Sequence, residues 1–176
     1  MLTGDLVRLR ALEPADSEPM WRWYHDPEVG RWMNSAPPIS LAQNMAKGLD
    51  RPRNTFEQML LGIEPLDDPR LIGYASLGDT DFVARDITLQ SFAIGDRDAW
   101  GKGYATDALR VACRFVFEEA GMHRVTLWVA AENTAAVRAY ERVGFVQEGR
   151  KRESFRTGGK LYDYLMMGLL ASELTG

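Results

Sequence analysis

A glycine turn that feeds straight into a helix leaves the backbone few choices. This chain carries one in mid-sequence, W-G-K-G-Y-A-T-D-A-L at Trp100–Leu109. Glycines let backbone N–H groups approach an anion closely. The first helical turn adds unpaired N–H groups with the positive end of the helix dipole behind them. A nucleoside-triphosphate loop needs a wider glycine spacing ending in Lys-Ser/Thr, whereas Lys102 is followed by Gly103. A dinucleotide fingerprint needs three glycines hard against a strand; here Thr106 holds the third position, and Gly95–Ala99 intervene after the expected strand. Two readings of the loop stay open: it holds a diphosphate, or it is a turn with no ligand.

Hydrophobic periodicity sets this turn in an α/β chain. Asp5–Ala11 alternates as a strand, with Leu6, Arg8 and Arg10 on one face and Val7, Leu9 and Ala11 on the other. Pro14-Ala15-Asp16 opens a helix through Met20, Trp21, Trp23 and Tyr24 that Asp26-Pro27 breaks. Ser40 and Gln43 have capping-box spacing for a second helix ending near Gly48. Strands are expected at Thr55–Ile63, Arg70–Leu77 and Thr88–Ile94, the first two joined by the turn-rich Glu64–Pro69. The helix after the glycine turn runs from Tyr104 to about Ala120 and ends on Gly121. A strand at Arg124–Val129 follows, then a helix at Thr134–Arg142 between Asn133 and Gly144. Strands at Phe145–Arg156 and Leu161–Leu169, turning on Gly158-Gly159, complete the order βααβββαβαββ. That order is a mixed α/β sheet with an antiparallel closing hairpin, which excludes an all-parallel doubly wound sheet.

A length of 176 residues suits one domain, residues 1–176, with a substantial core. A net charge of −4 without a basic run argues against a broad nucleic-acid surface, yet leaves room for a local pocket for a cationic substrate. No apolar run nears the roughly 20 residues that span a bilayer, and MLTGDLVRLR has no signal-peptide core. Cys113 is the single cysteine, so no internal disulfide is expected and a cytoplasmic location fits. It reads as a structural thiol beside the core face of its helix. His25 and His123 lack metal-ligand spacing, and no metal is expected.

Trp100–Ala105 resembles the acetyl-coenzyme-A diphosphate loop of the GNAT acetyltransferases, written there as Arg/Gln-x-x-Gly-x-Gly/Ala. Gly103 and Ala105 match the small positions. Trp100 stands at the Arg/Gln position, a departure that recurs in the ribosomal-protein N-terminal acetyltransferase-like branch. E-N-T-A-A-V-R-A-Y-E-R-V-G-F, Glu132–Phe145, is similar to the family's second signature, an Asn followed by a helix carrying Tyr and then Gly-Phe. The likeness runs from LVRLRALEPAD and HDPEV near the start to Arg156–Tyr164 (R-T-G-G-K-L-Y-D-Y). It implies a single-domain acyl-CoA N-acyltransferase fold with a mixed, mostly antiparallel central sheet flanked by helices. It also implies acetyl transfer from acetyl-CoA to a primary amine by direct attack.

The resemblance assigns roles. Strands Thr88–Ile94 and Arg124–Val129 would splay to admit the pantetheine arm, held by backbone groups of Phe92 and Ile94. Gly101, Lys102, Gly103, Ala105 and Thr106 would hold the diphosphate. Asn133 matches a pantetheine-contacting asparagine and can equally serve as a plain helix cap. Tyr140 matches the general acid toward the departing thiolate, against a reading as a core aromatic with a satisfied hydroxyl. The two lie seven residues apart, two helical turns, and so point the same way.

The strand T-L-Q-S-F-A-I lacks the carboxylate some members use as base, although Asp86 precedes it and Asp96 follows. An α-amine, with a pKa near 8, needs less help than a lysine side chain near 10.4, so the acceptor leans toward a protein N-terminus or a small amine. A polyamine, amino acid or antibiotic acceptor is the alternative, as is a non-catalytic acyl-CoA sensor. Relatives build the acceptor site from the segment Trp21–Pro38 and the Arg156–Lys160 turn. Trp21, Trp23, Tyr24 and Trp32 read first as core, with Trp32 or Tyr24 as candidates to touch substrate. Arg150-Lys151-Arg152 reads as a solvated face, and exposed strand edges would suit a homodimer.

Overall fold

The structure, a computed structural model, describes residues 2–33 and 37–175. Seven strands form one sheet: β1 (Val7–Ala11), β2 (Met59–Pro65), β3 (Gly73–Asp81), β4 (Asp86–Ile94), β5 (Arg124–Ala130), β6 (Val146–Thr157) and β7 (Lys160–Leu170). Four helices accompany them: α1 (Ser17–His25), α2 (Leu41–Leu49), α3 (Tyr104–Glu118) and α4 (Thr134–Val143). The chain order is the one the periodicity predicts. In space the order is β1-β2-β3-β4-β5-β7-β6, so β7 inserts between β5 and the edge strand β6. Among the described residues only the β4–β5 pair is parallel.

Some boundaries move for local reasons. β1 begins at Val7 because the amides of Asp5, Leu6 and Val7 all donate to the carboxylate of Asp107 on α3, at 2.8–3.2 Å. β2 begins four residues later than expected. Asn54 clasps both backbone groups of Leu60, and the Thr55 hydroxyl accepts from the Glu57 and Gln58 amides, so 54–58 is a side-chain-built turn. Glu64, read from sequence as a turn residue, instead lies buried inside β2. Burial pushes its carboxyl upward in pKa, but hydrogen bonds from Arg10 and Arg8 outweigh this and hold it below the usual carboxylate range. The Ser40–Gln43 capping box forms in both directions.

The main core lies between one sheet face and the helices α3 and α4. Val7, Ile63, Ala75, Ile87, Val125 and Leu169 meet Leu109, Ala112, Val116 and Val143 there, all at most 1% exposed. Glycines end three segments in the left-handed region that favours them: Gly121 after α3, Gly144 after α4, and Gly158-Gly159 between β6 and β7. No helix among the described residues is long and apolar enough to cross a membrane.

Candidate active site

The site begins where the sheet opens. The parallel β4–β5 pairing runs only from Asp86↔Arg124 to Leu89↔Leu127. Beyond that point β4 stays on β3 as far as Ile94↔Gly73, while β5 stays on β7 as far as Ala130↔Tyr164. The two strands therefore diverge into a wedge in the middle of the sheet.

A β-bulge sits at the vertex. Leu77 opposes Leu89, but Ser76 opposes Ser91, so Gln90 is an extra residue in β4. The extra residue reverses which side chains face the core. Ile87 and Leu89 point inward before it, and Phe92 and Ile94 pack against the core after it. Ser91 is thereby turned to the opposite face, where its hydroxyl donates to the Tyr74 hydroxyl at 3.2 Å. The Gln90 side chain lies against Gly78, where any Cβ would come within 2.7 Å of it. Gly95 donates to Ile72 on the β3 side, and the Ile94 carbonyl accepts from Trp100 on the other side. Strand alternation then aims the amide and carbonyl of Phe92 into the wedge. Of the two Ile94 groups expected to serve there, the carbonyl is already engaged by Trp100 and the N–H is the one left facing the wedge.

The glycine turn lies at the mouth of this wedge. Gly101 (φ 74°) and Gly103 (φ 86°) both occupy the left-handed region, which explains the spacing of the two glycines. Trp100 is 44% exposed, yet its Nε1 donates to the Ile94 carbonyl at 2.8 Å and ties the turn to the end of β4. Arg97 lies over its ring at 5.8 Å and pairs with Glu28 at 2.9 Å. Asp107 N–H is satisfied by Gly103, leaving the amides of Tyr104, Ala105 and Thr106 as the helix's unpaired donors. Lys102 stands exposed between the glycines. Among the described residues, three amides without a partner, two exposed glycines and a helix N-terminus fit an anionic diphosphate.

Tyr140 on α4 lies beside Phe92 at the wedge, and Asn133 stands at the start of that helix. The Asn133 side chain accepts from Ala136 N–H at 3.4 Å, so it is a helix cap. Tyr140 is 7% exposed, with its ring centroid 6.5 Å from Phe92 and 5.7 Å from Phe145. Its hydroxyl has no protein hydrogen-bond partner among the described residues. Burial pushes its pKa up, with Cys113 adding to the effect, so the hydroxyl keeps its proton throughout the neutral range.

The two carboxylates flanking β4 do not enter the wedge. Asp86 sits at the paired end of β4, accepting from Thr126 at 3.0 Å and facing Arg124 at 3.5 Å. Asp96 accepts from the Asp98 amide and is paired with Arg70. Among the described residues no group of His, Cys, Asp and Glu could hold a metal ion.

Near the open end of the wedge, β6 and β7 build an aromatic cleft of about 420 Å³ lined by Ser154–Gly159 and Tyr164. Two extra residues in β6 between Lys151 and Phe155 make it possible. Asp163 holds that bulge by accepting from the Glu153 amide at 2.8 Å and from Arg150 at 2.6 Å, with Glu153 at a left-handed φ of 49°. Phe155 is thereby carried inward, 3% exposed, 5.0 Å from the Tyr164 ring. Trp32 meets Tyr162 edge-on with ring centroids 5.3 Å apart, and the Arg31 carbonyl accepts from Thr157. Of the four early aromatics, Trp32 packs next to the cleft, 6.4 Å from the ring of Phe155, which lines it. Trp21 donates to the Ile39 carbonyl, and Trp23 fills the space over Gly95, both as scaffold. Residues 34–36 of the expected acceptor segment lie outside the described residues. Asp163, Phe155 and Tyr162 escaped the sequence reading, because a two-residue bulge breaks the alternation that would have revealed them.

Comparison with known proteins identifies the family. A family model for the acetyltransferase (GNAT) domain matches residues 7–146. The chain is 29% identical to the putative ribosomal N-acetyltransferase YdaF of Bacillus subtilis over 97% of this chain and 94% of that protein. It is 33% identical to the spermidine N(1)-acetyltransferase of Vibrio cholerae over 58% of each. The crystal structure of spermidine N-acetyltransferase from Vibrio cholerae, in complex with CoA and spermine, superposes with a TM-score of 0.80 at 26% identity, covering 95% of this chain and 96% of that one. The chain belongs to the GNAT family of acetyl-CoA-dependent N-acetyltransferases.

Proposed function

We propose that the acceptor is an α-amino group at a peptide or protein N-terminus, as in the ribosomal-protein N-terminal acetyltransferase-like branch. The observation that carries this reading is the charge of the acceptor cleft. The hairpin from Arg150 to Tyr164 holds five basic residues (Arg150, Lys151, Arg152, Arg156 and Lys160) against two acidic ones. One of those acids, Asp163, is bound to Arg150 and to the Glu153 amide. Arg156 lines the cleft itself. Such a mouth repels a polycation and suits an amine attached to a neutral or acidic chain.

In this reading, acetyl-CoA supplies a thioester whose carbonyl carbon accepts the amine. Gly101, Lys102, Gly103, Ala105 and Thr106 hold its diphosphate, and Phe92, Ile94 and Asn133 hold its pantetheine arm. The cap hydrogen bond occupies Asn133 Oδ1, and its amide nitrogen serves the arm. Tyr140 gives its proton to the departing sulfur. A small amine is the second reading, supported by the likeness to the Vibrio cholerae spermidine enzyme. Thiol release from acetyl-CoA is to be measured across N-terminal peptides, amino acids, spermidine and spermine. The proposal expects peptides, above all those with acidic or apolar second residues, to give the highest kcat/KM. Faster turnover of spermidine than of every peptide would overturn it.

A further inference from the structure

The base has no carboxylate to fill its role, and the bulge at Gln90 supplies another candidate. We infer that Ser91 and Tyr74 together carry the acceptor's ammonium proton away from the wedge before the amine attacks. The inference rests on the amine-transfer reading above, but not on which amine is used.

Three observations place the pair. Ser91 is the first β4 residue beyond the bulge, in the stretch where β5 no longer pairs. Its side chain lies on the opposite sheet face from Phe92, which points toward Tyr140. The proton donor for sulfur and the proton acceptor for nitrogen would thus stand on opposite faces of one gap, as direct attack requires. Second, Ser91 Oγ is already in register with the Tyr74 hydroxyl, donating to it at 3.2 Å. Third, the onward partner of Tyr74 is weak. Its hydroxyl donates to the Met33 sulfur at 4.0 Å, so its own proton is free to move on. Tyr24 on α1 is the one titratable side chain among the described residues that acts electrostatically on that hydroxyl. Burial raises the Tyr74 pKa, against the lowering effect of the Ser91 hydrogen bond, so Tyr74 relays as a neutral hydroxyl.

The step balances as follows. An N–H bond of the ammonium breaks and its proton passes to Ser91 Oγ. The Ser91 proton passes to the Tyr74 oxygen, and the Tyr74 proton leaves to solvent. The freed lone pair forms the new N–C bond and nitrogen becomes positive again, so its second proton leaves by the same two hydroxyls to solvent as the C–S bond breaks, and sulfur takes the proton of Tyr140, which solvent restores. No net charge is left on either hydroxyl. A relay of this kind moves a proton without supplying much basicity, so it suits an amine whose pKa lies near 8.

The test uses Ser91→Ala, Tyr74→Phe and the double variant, with each amine the wild type acetylates. The expected result is a loss in kcat/KM on the order of 10²-fold at pH 7 for either single variant. The double variant should be no worse than either single one, because both interrupt one chain. The deficit should shrink as pH rises past the amine's own pKa, where the amine enters already neutral and no proton has to leave before attack. Thermal stabilisation by acetyl-CoA should match wild type in all three. Independently of activity, Ser91→Ala should move the Tyr74 ionisation, followed by alkaline ultraviolet titration against Tyr74→Phe, to higher pH. Losses equal at every pH, additive losses, or full activity in either single variant would each overturn the relay. Wild-type turnover of spermidine alone would overturn the acceptor assignment and leave the relay to be judged on spermidine. Silence with every amine would overturn both.

Discussion

Replacing Tyr140 by Phe separates a catalytic hydroxyl from a structural one, because the structure assigns the two cases different stabilities. The ring is 7% exposed and packs edge-on to Phe92 and Phe145, contacts that phenylalanine keeps. The hydroxyl itself has no partner among the described residues. That oxygen is not one of the buried polar atoms left without a partner, so it meets solvent, and deleting it should leave stability nearly unchanged. A satisfied core hydroxyl would instead lose about 1 kcal/mol on deletion, or roughly 2–4 °C in Tm for a chain of this size. Catalysis should move the other way. Loss of a general acid costs about 10²- to 10⁴-fold, or about 3–5 kcal/mol of barrier. The lower end is expected here, since a thiolate with a pKa near 8.5 is a tolerable leaving group. The defect should therefore narrow above about pH 9, where sulfur no longer needs the proton. The assay is steady-state thiol release from pH 6.5 to 9.5, beside a thermal melt with and without acetyl-CoA. Full kcat at pH 7 in a variant of wild-type Tm would refute the acid role. A fall in kcat matched by a fall in Tm of several degrees would return Tyr140 to the core.

Two further outcomes follow from local geometry. Gly101 and Gly103 both have positive φ, so alanine at either costs about 1–2 kcal/mol of left-handed strain. A Cβ on Gly103 also meets Leu6 at 3.3 Å, whereas none of the surroundings lies within 4 Å at Gly101. Gly103→Ala should be the less stable in urea unfolding, and Leu6→Ala should recover part of that difference in Gly103→Ala only; equal losses would refute the contact. Burial pushes the Cys113 thiol from 9.0 up to about 12. The unfolded chain releases that proton near pH 9 while the folded chain keeps it. Stability from this group is therefore full below pH 9 and falls by up to about 1.4 kcal/mol per pH unit between 9 and 12. Urea unfolding of wild type and Cys113→Ala from pH 8 to 10 checks this. The variant should be less stable at pH 8 and fall less steeply thereafter, and parallel curves would contradict it.

Periodicity, caps and glycines were enough to order the elements, because each is a local property of the backbone. The Ser40–Gln43 box, the stop at Gly144 and the Gly158-Gly159 turn all stand where single residues demanded them. The glycine turn was legible for the same reason: Gly101 and Gly103 occupy conformations that other residues resist. Local pattern failed where a side chain reached across the sequence. The start of β1 was set by Asp107, a hundred residues away, and Glu64 could enter β2 only because Arg8 and Arg10 lie on the neighbouring strand. The active-site wedge belongs to the second kind. Its trace in the sequence is faint, a three-residue step from Leu89 to Phe92 where a regular strand keeps a step of two. Only the pairing of β4 with β3, and of β5 with β7, shows that the two strands part at that step. A strand's hydrogen bonds are made by its neighbours, so the chain alone determined the glycine turn, and the sheet decided what surrounds the gap: Tyr140 on one face, Ser91 and Tyr74 on the other.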